Sequence, residues 1–479
     1  MKVLIIYTDL ETSVSYSFGV GILAAILKEN RHEVKVLHLN EEIDYPLDLN
    51  RIKKDVENFK PGLIAFSSTS NQFKFVETIA KFIKKNFSIP IICGGVHATS
   101  CPDEVISVDE IDFLCRGEGD VAFLELTNKL EKKQGITNIK GIWAKSDGKI
   151  IQNPLGPVIE NLDSLPFADR EVFQTDKILR ISRGWVNILS GRGCPFSCSY
   201  CVNHYYTNLY KNSNVKYTVR HRSVENVLEE ISRIVKDKNA KMINFNDDTF
   251  TLNKEWVLKF CEEYPKRFKL PFACNVRVTN FDEDIAIALK KAGCEEVKIG
   301  VESGNEKIRR EILNRHTPDH MILKAFSVAR KAGLRCWSFN MIGIPTETRE
   351  NIIETVKLNA KIRPYIIRCS ILFPYKGTKI YDYCLQKNMI DKEKEDKYST
   401  YFEGSILKMD SISQVDILKF KKMFKWYVDA YSELNVSPFF RELVENFEQL
   451  PDKLWENGKA QKMVSEVDKS IDNLFRVQK

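Results

Sequence analysis

The chain has 479 residues, 43% of them hydrophobic and 11% aromatic, enough for two or three domains with sizeable cores. Its net charge of +7 is spread over lysines along helices, so no nucleic-acid partner is expected. No apolar run is long enough to span a bilayer, and Met1-Lys2-Val3-Leu4-Ile5-Ile6-Tyr7 reads as a first strand and not as a signal peptide, which predicts a cytoplasmic, reducing location.

Strand and helix alternate from the start. Strands are expected at Lys2–Tyr7, Glu33–Leu39, Leu63–Phe66, Pro90–Cys93 and Ile111–Cys115, with helices at Val20–Glu29 and Phe73–Asn86. Continuous Val/Ile/Leu strands between helices predict a doubly wound, Rossmann-like α/β domain over residues 1–135. Small residues cluster at its strand ends: Ser67-Ser68-Thr69, Gly94-Gly95 and Gly117-Glu118-Gly119. In this architecture ligands bind there, and glycine lets the backbone approach a flat ligand. A hairpin around Asp147-Gly148 and a Pro-rich linker follow, over residues 136–180.

A second series runs over residues 181–390. Strands are expected at Val186–Leu189, Met242–Phe245, Phe272–Asn275, Val297–Val301, Trp337–Met341 and Ile367–Phe373. Helices between them include Val224–Val235, Glu255–Tyr264, Glu283–Ala292, Arg349–Ile362 and Lys379–Asn388. Six such units predict a partial (β/α)6, TIM-like barrel with its reactive groups at the C-terminal strand ends. Polar residues fall there: Asp247-Asp248, Asn275, Arg277, Glu302-Ser303, Gly343 and Pro345. Residues 391–479 read as a helical tail. Its stripe Ile417, Phe420, Phe424, Tyr427, Val428 and Tyr431 fits a helix docked on the barrel, with contact to a membrane surface as the alternative.

The densest chemical signal is Cys194-Pro195-Phe196-Ser197-Cys198-Ser199-Tyr200-Cys201, placed just after the first strand of the second series. Three soft thiolates at C-x3-C-x2-C spacing suit an iron–sulfur cluster and leave one iron of a 4Fe–4S cubane without a protein ligand. With His204 added, the same residues could form a Cys3His zinc site. The other nine cysteines stand singly, mostly in apolar runs, as buried reduced thiols do.

The triplet, with Tyr200 before its last cysteine, resembles the signature of the radical S-adenosylmethionine (SAM) enzymes. The resemblance implies a 4Fe–4S cluster on Cys194, Cys198 and Cys201 whose open iron chelates SAM and cleaves it to a 5′-deoxyadenosyl radical. Gly300-Val301-Glu302-Ser303-Gly304 resembles the family segment that contacts SAM, with Glu302 on the ribose. Asp247 and Asp248 would face the SAM ammonium or the substrate, Asn275 is a further implied SAM contact, Arg277 would take a carboxylate, and Gly343 and Pro345 would shape a turn beside adenine. Gly94-Gly95-Val96-His97-Ala98-Thr99, then Gly117-Glu118-Gly119, resembles the cobalamin-binding domain of the cobalamin-dependent branch of that family, with Phe18-Gly19-Val20-Gly21 and Ser67–Ser70 where its other cofactor loops fall. Gly19, Gly21, Ser67, Ser68, Thr69, Gly94, Gly95, His97, Thr99, Gly117, Glu118 and Gly119 are the implied cobalamin contacts. An Asp-x-His-x-x-Gly motif is missing, so no histidine is expected below the cobalt.

The expected cofactors are thus a 4Fe–4S cluster, SAM and cobalamin. The implied activity is methylation of an unactivated carbon, or of a phosphinate, in a small molecule. An electron donor such as flavodoxin or ferredoxin is the implied partner. Alternatives are a non-methylating cyclase or ring-rearranging relative, a tRNA methylthiotransferase, and a non-catalytic cobalamin- or metal-binding protein. Cys93, Cys101 and Cys115 are misplaced for the second cluster that a methylthiotransferase needs.

Overall fold

The computed structural model describes residues 1–236, 239–398 and 404–476. Residues 399–403 and 477–479 of the expected helical tail lie outside the described residues. By backbone contacts the chain forms two compact units, residues 1–196, 201–250 and 270–272 in one, and 197–200, 251–269 and 273–479 in the other.

The first sheet has strands β1 (Lys2–Thr8), β2 (Glu33–Leu39), β3 (Leu63–Ser67), β4 (Ile91–Gly94), β5 (Phe113–Cys115), β6 (Ile142–Ser146) and β7 (Lys149–Gln152), in the order β2-β1-β3-β4-β5-β6-β7. β1 to β5 pair in parallel, and β6 and β7 extend the sheet as an antiparallel hairpin. The Asp147-Gly148 hairpin therefore belongs to this sheet, its turn formed by two residues with positive φ (50° and 71°). Val3 and Ile5 face one core, Leu4 and Ile6 the other, as a strand covered on both faces requires. The helices Leu49–Phe59 and Ala122–Glu131 add to those read from periodicity.

The remaining strands are β8 (Trp185–Ile188), β9 (Gly191–Arg192), β10 (Arg220–His221), β11 (Met242–Phe245), β12 (Phe272–Val276), β13 (Cys294–Glu302), β14 (Arg335–Ile342) and β15 (Ile366–Ile371). β9 and β10 form a short antiparallel ribbon. The other six make the half-barrel sheet, in the order β15-β14-β13-β12-β11-β8. The strand expected to reach Phe373 stops at Ile371, three residues before Pro374, which has no N–H for a ladder.

In the tail, the helix Gln414–Ala430 buries Ile417, Phe420, Phe424, Tyr427 and Val428 in one core with Ile342, Ile352, Val356 and Ile371. That apolar face is spent on protein, which removes the surface a membrane contact needed. Tyr431 departs from the expected stripe: it is 45% exposed, with the Lys357 ammonium 5.5 Å from its ring centre. Among the described residues no helix is long and apolar enough to cross a membrane.

Candidate functional site

In the first unit the C-terminal ends of β1, β3, β4 and β5 open into a cavity of about 320 Å³. Gly19, Ser67, Gly94, Gly95, Gly117, Glu118 and Gly119 line it, as expected from the loops. A Cβ on Gly19 would meet nothing within 4 Å. Gly95 is the opposite case: its φ is +95°, and a Cβ would lie 2.7 Å from both the N and the O of Ser68. Only glycine accommodates that crossing of loops.

Gly21, Ser68, Thr69, His97 and Thr99 are not among the lining residues. The missing side chain of Gly21 faces Tyr16 and Ala168. The hydroxyl of Ser68 donates to the Thr69 carbonyl (2.9 Å), and that of Thr69 to Asn71 Oδ1 (2.6 Å). His97 is buried against the Phe73 ring, with Nδ1 3.1 Å from Ser70 Oγ. Thr99 acts on the rim from behind: its hydroxyl donates to the Gly95 carbonyl (2.9 Å) and accepts from the Gly117 N–H (3.1 Å), tying two glycine loops together.

The far wall holds residues that carry no local sequence signal: Leu189, Arg192, Asn203, Tyr206 and Tyr217. Arg192 donates to both carboxylate oxygens of Asp120 (2.8 and 3.0 Å), and Arg220 to both of Glu118 (3.0 and 2.5 Å). These bidentate pairs are rigid and specific. They fasten the loop Gly117–Asp120 to the β9–β10 ribbon, so Glu118 borders the cavity with its charge already matched. Partners separated by 72 and 102 residues cannot be found from spacing. Burial pushes the Tyr217 phenol and the Cys115 thiol each up to about 12, so both face the cavity uncharged.

Of the cysteine triplet, Cys194 and Cys201 belong to the first unit and Cys198 to the second. Cys194 follows Gly193, whose φ of +92° turns the chain out of β9. Cys201 caps the helix Val202–Asn212, with its sulfur 3.7 Å from the donating Asn203 Nδ2. His204 is buried in that helix, with Nε2 3.0 Å from Asn208 Nδ2. Among the described residues the trio of possible metal ligands with atoms within 4.8 Å of one another is His97, Cys101 and Glu104.

Asp247 and Asp248 also lie in the first unit. Both oxygens of Asp247 accept from the Ser190 N–H (2.9 and 3.1 Å), and one accepts from its hydroxyl (2.8 Å). Burial pushes this carboxyl up to about 6 despite those bonds. Asp247 thus holds the turn after β8. Asp248 is exposed and hydrogen-bonds Asn203 of the cavity wall.

In the second unit Ser199 is pinned by its N–H to the Leu313 carbonyl (3.0 Å) and its hydroxyl to the Ile312 carbonyl (2.6 Å). This places Cys198 in the interior, where Arg277 Nη1 lies 3.6 Å from its sulfur. Arg315 hydrogen-bonds the same sulfur. Burial opposes the charge of Arg315, but Tyr200, Glu302 and Cys198 around it hold its pKa above the usual value. Two guanidiniums thus lie beside one sulfur. Arg315 was not anticipated; it sits in a loop without a recognisable pattern.

Glu302 ends β13 with φ +70°, a left-handed conformation costly for a side chain that has a Cβ. Its carboxylate lies 3.9 Å from Arg315 and accepts from Tyr200, while burial pushes its pKa up. The Ser303 carbonyl accepts from buried Arg309 (2.6 Å), which fixes the turn after Glu302. Asn275 is half-buried at the end of β12. Gly343 (φ +72°) and Ile344 donate their N–H groups to Glu347 Oε2 (2.6 and 3.1 Å), so a buried carboxyl shapes the turn that includes Pro345.

Family models match both halves. One described as the radical SAM superfamily covers residues 188–358, and one described as a B12 binding domain covers residues 12–127. An uncharacterized methyltransferase of Pyrococcus horikoshii is 29% identical over 442 residues, which is 89% of this chain and 93% of the relative. The anaerobic magnesium-protoporphyrin IX monomethyl ester cyclase of Rubrivivax gelatinosus is 24% identical over 384 residues, 78% of this chain and 66% of the relative. The cytidylyl-2-hydroxyethylphosphonate methyltransferase of Streptomyces wedmorensis is 23% identical over 450 residues, 82% of each chain. Among solved structures, the radical SAM methyltransferase TsrM of Kitasatospora setae, with cobalamin and a [4Fe-4S] cluster bound, matches at TM-score 0.67 and 15% identity, over 80% of this chain and 75% of TsrM. The cobalamin-dependent radical SAM enzyme OxsB, with aqua-cobalamin and SAM bound, matches at TM-score 0.68 and 15% identity, over 98% of this chain and 75% of OxsB. At these identities the two structures share the fold.

Proposed function

Because this chain belongs to the cobalamin-dependent radical SAM enzymes, we propose that it methylates an unactivated carbon, or a phosphinate phosphorus, of a small molecule. One observation carries the reading: the stretch that matches the B12 model contains a cavity at its strand ends, rimmed by five glycines. The open space over Gly19 and the enforced glycine at 95 are what close approach of a large flat ligand requires. No histidine lines the cavity, so the chain offers cobalt no imidazole from that lining. The donor set of Cys194, Cys198 and Cys201 fits a 4Fe–4S cluster, and Glu302 with Arg277 fits a SAM molecule beside it. When bound, these cofactors supply reductive cleavage of SAM, hydrogen abstraction from the substrate and a transferable methyl group.

The chain's own residues bind, orient and shield. Glu302 would accept hydrogen bonds from the ribose hydroxyls of SAM, and its unfavourable φ is the cost of presenting the carboxylate at the strand end. Arg277 and Arg315 hold positive charge against Cys198. Tyr206, Tyr217 and Leu189 form a wall of the cavity, and the Arg192–Asp120 and Arg220–Glu118 pairs keep that wall in place. Glu347 keeps the Gly343–Pro345 turn in shape, and that turn would lie beside the adenine of a bound SAM. A flavodoxin- or ferredoxin-type protein would deliver the electron.

The test is anaerobic incubation of the iron-loaded protein with methyl-labelled SAM, a strong reductant, cobalamin and a small-molecule extract of the source cells. We expect 5′-deoxyadenosine, S-adenosylhomocysteine and label in one extract component. Replacing all three cysteines by alanine should remove both the iron and the SAM cleavage. Stoichiometric zinc without iron in the wild-type protein, or SAM cleavage that never transfers label, would overturn the reading.

A further inference from the structure

Strands β13 to β15 lie in the second unit and carry two unlike faces. Along β14, Cys336, Ser338, Asn340 and Ile342 are buried. Ser338 and Asn359 hydrogen-bond at 2.7 Å, and Asn359 Nδ2 donates to Asn340 Oδ1 (2.7 Å), so this register faces the helix Arg349–Ile362. The opposite register carries Trp337, Phe339 and Met341. Parallel pairing sets Lys298 beside Trp337, and both Gly300 and Arg368 beside Phe339.

This second face is aromatic, cationic and open. Phe339 is 36% exposed, and Arg368 is exposed. The Lys298 ammonium lies 5.4 Å and the Arg368 guanidinium 5.3 Å from the centre of the Trp337 ring. The ring is held by its N–H, which donates to Glu296 (2.8 Å), and Glu296 also pairs with Arg335 (3.0 Å). Glu302 lies beyond a register shift after Gly300, pairs with Asn340, and is placed with Arg315 and Tyr200. Glu296 also acts electrostatically on Lys298, and two cations, Lys298 and Arg368, converge on the aromatic row. Burial lowers the pKa of Lys298, a cost that an anion beside it would offset. Gly300 completes the arrangement: a Cβ there would collide with the Glu302 carboxylate, so the missing side chain lets that acid lie next to the Phe339 row.

We propose that this face binds the substrate, and that the substrate is a small molecule with a flat apolar portion on Phe339 and a negative group, carboxylate or phosphate, held by Lys298 and Arg368. The assignment rests on the function proposed above, since it puts the molecule beside Glu302, the acid assigned to SAM. An exposed aromatic ring gives the flat part a partner, and a fixed guanidinium gives the anion a directional one.

Equilibrium dialysis of the full chain, reconstituted with its cluster under anaerobic conditions, tests this with naphthoate, naphthyl phosphate, naphthylmethylamine and inorganic phosphate. At least one naphthyl anion should bind about tenfold or more tightly than the amine and than inorganic phosphate. Which anion binds better identifies the negative group. Arg368→Gln and Lys298→Gln should each weaken that anion about tenfold, and Arg368→Glu should reverse the order of anion and amine. Iron content and thermal midpoint show that each variant is folded, and Arg368 is exposed, so its variants keep the test decisive. Equal binding of anion and amine by wild type, or unchanged binding in folded Arg368→Gln, overturns the proposal. Probe binding needs no SAM turnover. A protein that prefers the anion yet never cleaves SAM defeats the proposed function and leaves the anion site standing.

Discussion

The cavity of the first unit and the acid–guanidinium cluster of the second are built from different materials. The cavity is a backbone site: its rim is Gly19, Gly94, Gly95, Gly117 and Gly119, and its flanking acids Glu118 and Asp120 are paired with arginines. The cluster is a side-chain site: Glu302, Arg315, Arg277, Tyr200 and Cys198 meet with little room and much charge. The difference teaches that added volume should damage the first and altered charge the second. A large flat ligand is recognised by shape, and a small polar one by directed hydrogen bonds.

The largest effect should come from the charge site. Glu302→Ala should cost about 2–4 kcal/mol of SAM binding, or roughly two to three decades of affinity, and Glu302→Gln should cost less because an acceptor remains. Iron content should hold in both variants, since the cysteines are separate residues. SAM titration of the reconstituted protein checks this; wild-type affinity in the alanine variant would reduce Glu302 to a strand-end acid.

The glycines sharpen the other half of the comparison, because two neighbours on one rim should fail differently. Gly19→Leu places its side chain where nothing lies within 4 Å. It should leave the thermal midpoint near wild type and weaken hydroxocobalamin binding by roughly one to two decades, about 1.4 kcal/mol per decade. Gly95→Ala forces a Cβ to 2.7 Å from Ser68 at φ +95°, and should destabilise the fold by about 1–3 kcal/mol. Urea unfolding and cobalamin dialysis on the pair separate the two outcomes. Equal loss of stability in both would mean that Gly19 is structural as well.

The last effect is a pH dependence in the second unit, read over a single pH unit. Full burial pushes Glu347 from 4.5 to about 8, and its Oε1 has no hydrogen-bond partner among the described residues. The folded state therefore binds this proton more tightly than the unfolded one. Its contribution is complete near the ordinary carboxyl pKa and is lost as pH rises towards about 8, at up to about 1.4 kcal/mol per pH unit. Asp247 acts in the same direction but is exhausted above about 6. Urea midpoints at two pH values between those limits should fall with pH in wild type and stay flatter in Glu347→Gln.

Much of this was legible in the residues. The helices Phe73–Asn86 and Arg349–Ile362 end where their apolar period and caps end, the second closed by a capping box at Thr348. The strands of both series fall within about two or three residues of their apolar runs, because a buried parallel strand must be apolar on both faces. The glycine loops that line the cavity were visible for the same local reason, a backbone that must turn at a strand end. Less visible was which loop residues face inward. Ser67 lines the cavity, while Ser68 and Thr69 bond within their own loop. Neighbours of one composition take opposite directions, and only the backbone trace separates them.

The sequence by itself determined the order of the elements, the thiolate triplet with its C-x3-C-x2-C spacing, and the acid at the end of the strand Cys294–Glu302. These are local properties, written in periodicity and short spacing. The tertiary structure decided what surrounds them: Arg315 and Arg277 at Cys198, Arg192 and Arg220 on the loop Gly117–Asp120, and the exposed Phe339 between Gly300 and Arg368. Charges come together there from distant stretches because a buried ion is tolerated only beside its partner, and that partner is chosen by chain crossing rather than by sequence distance.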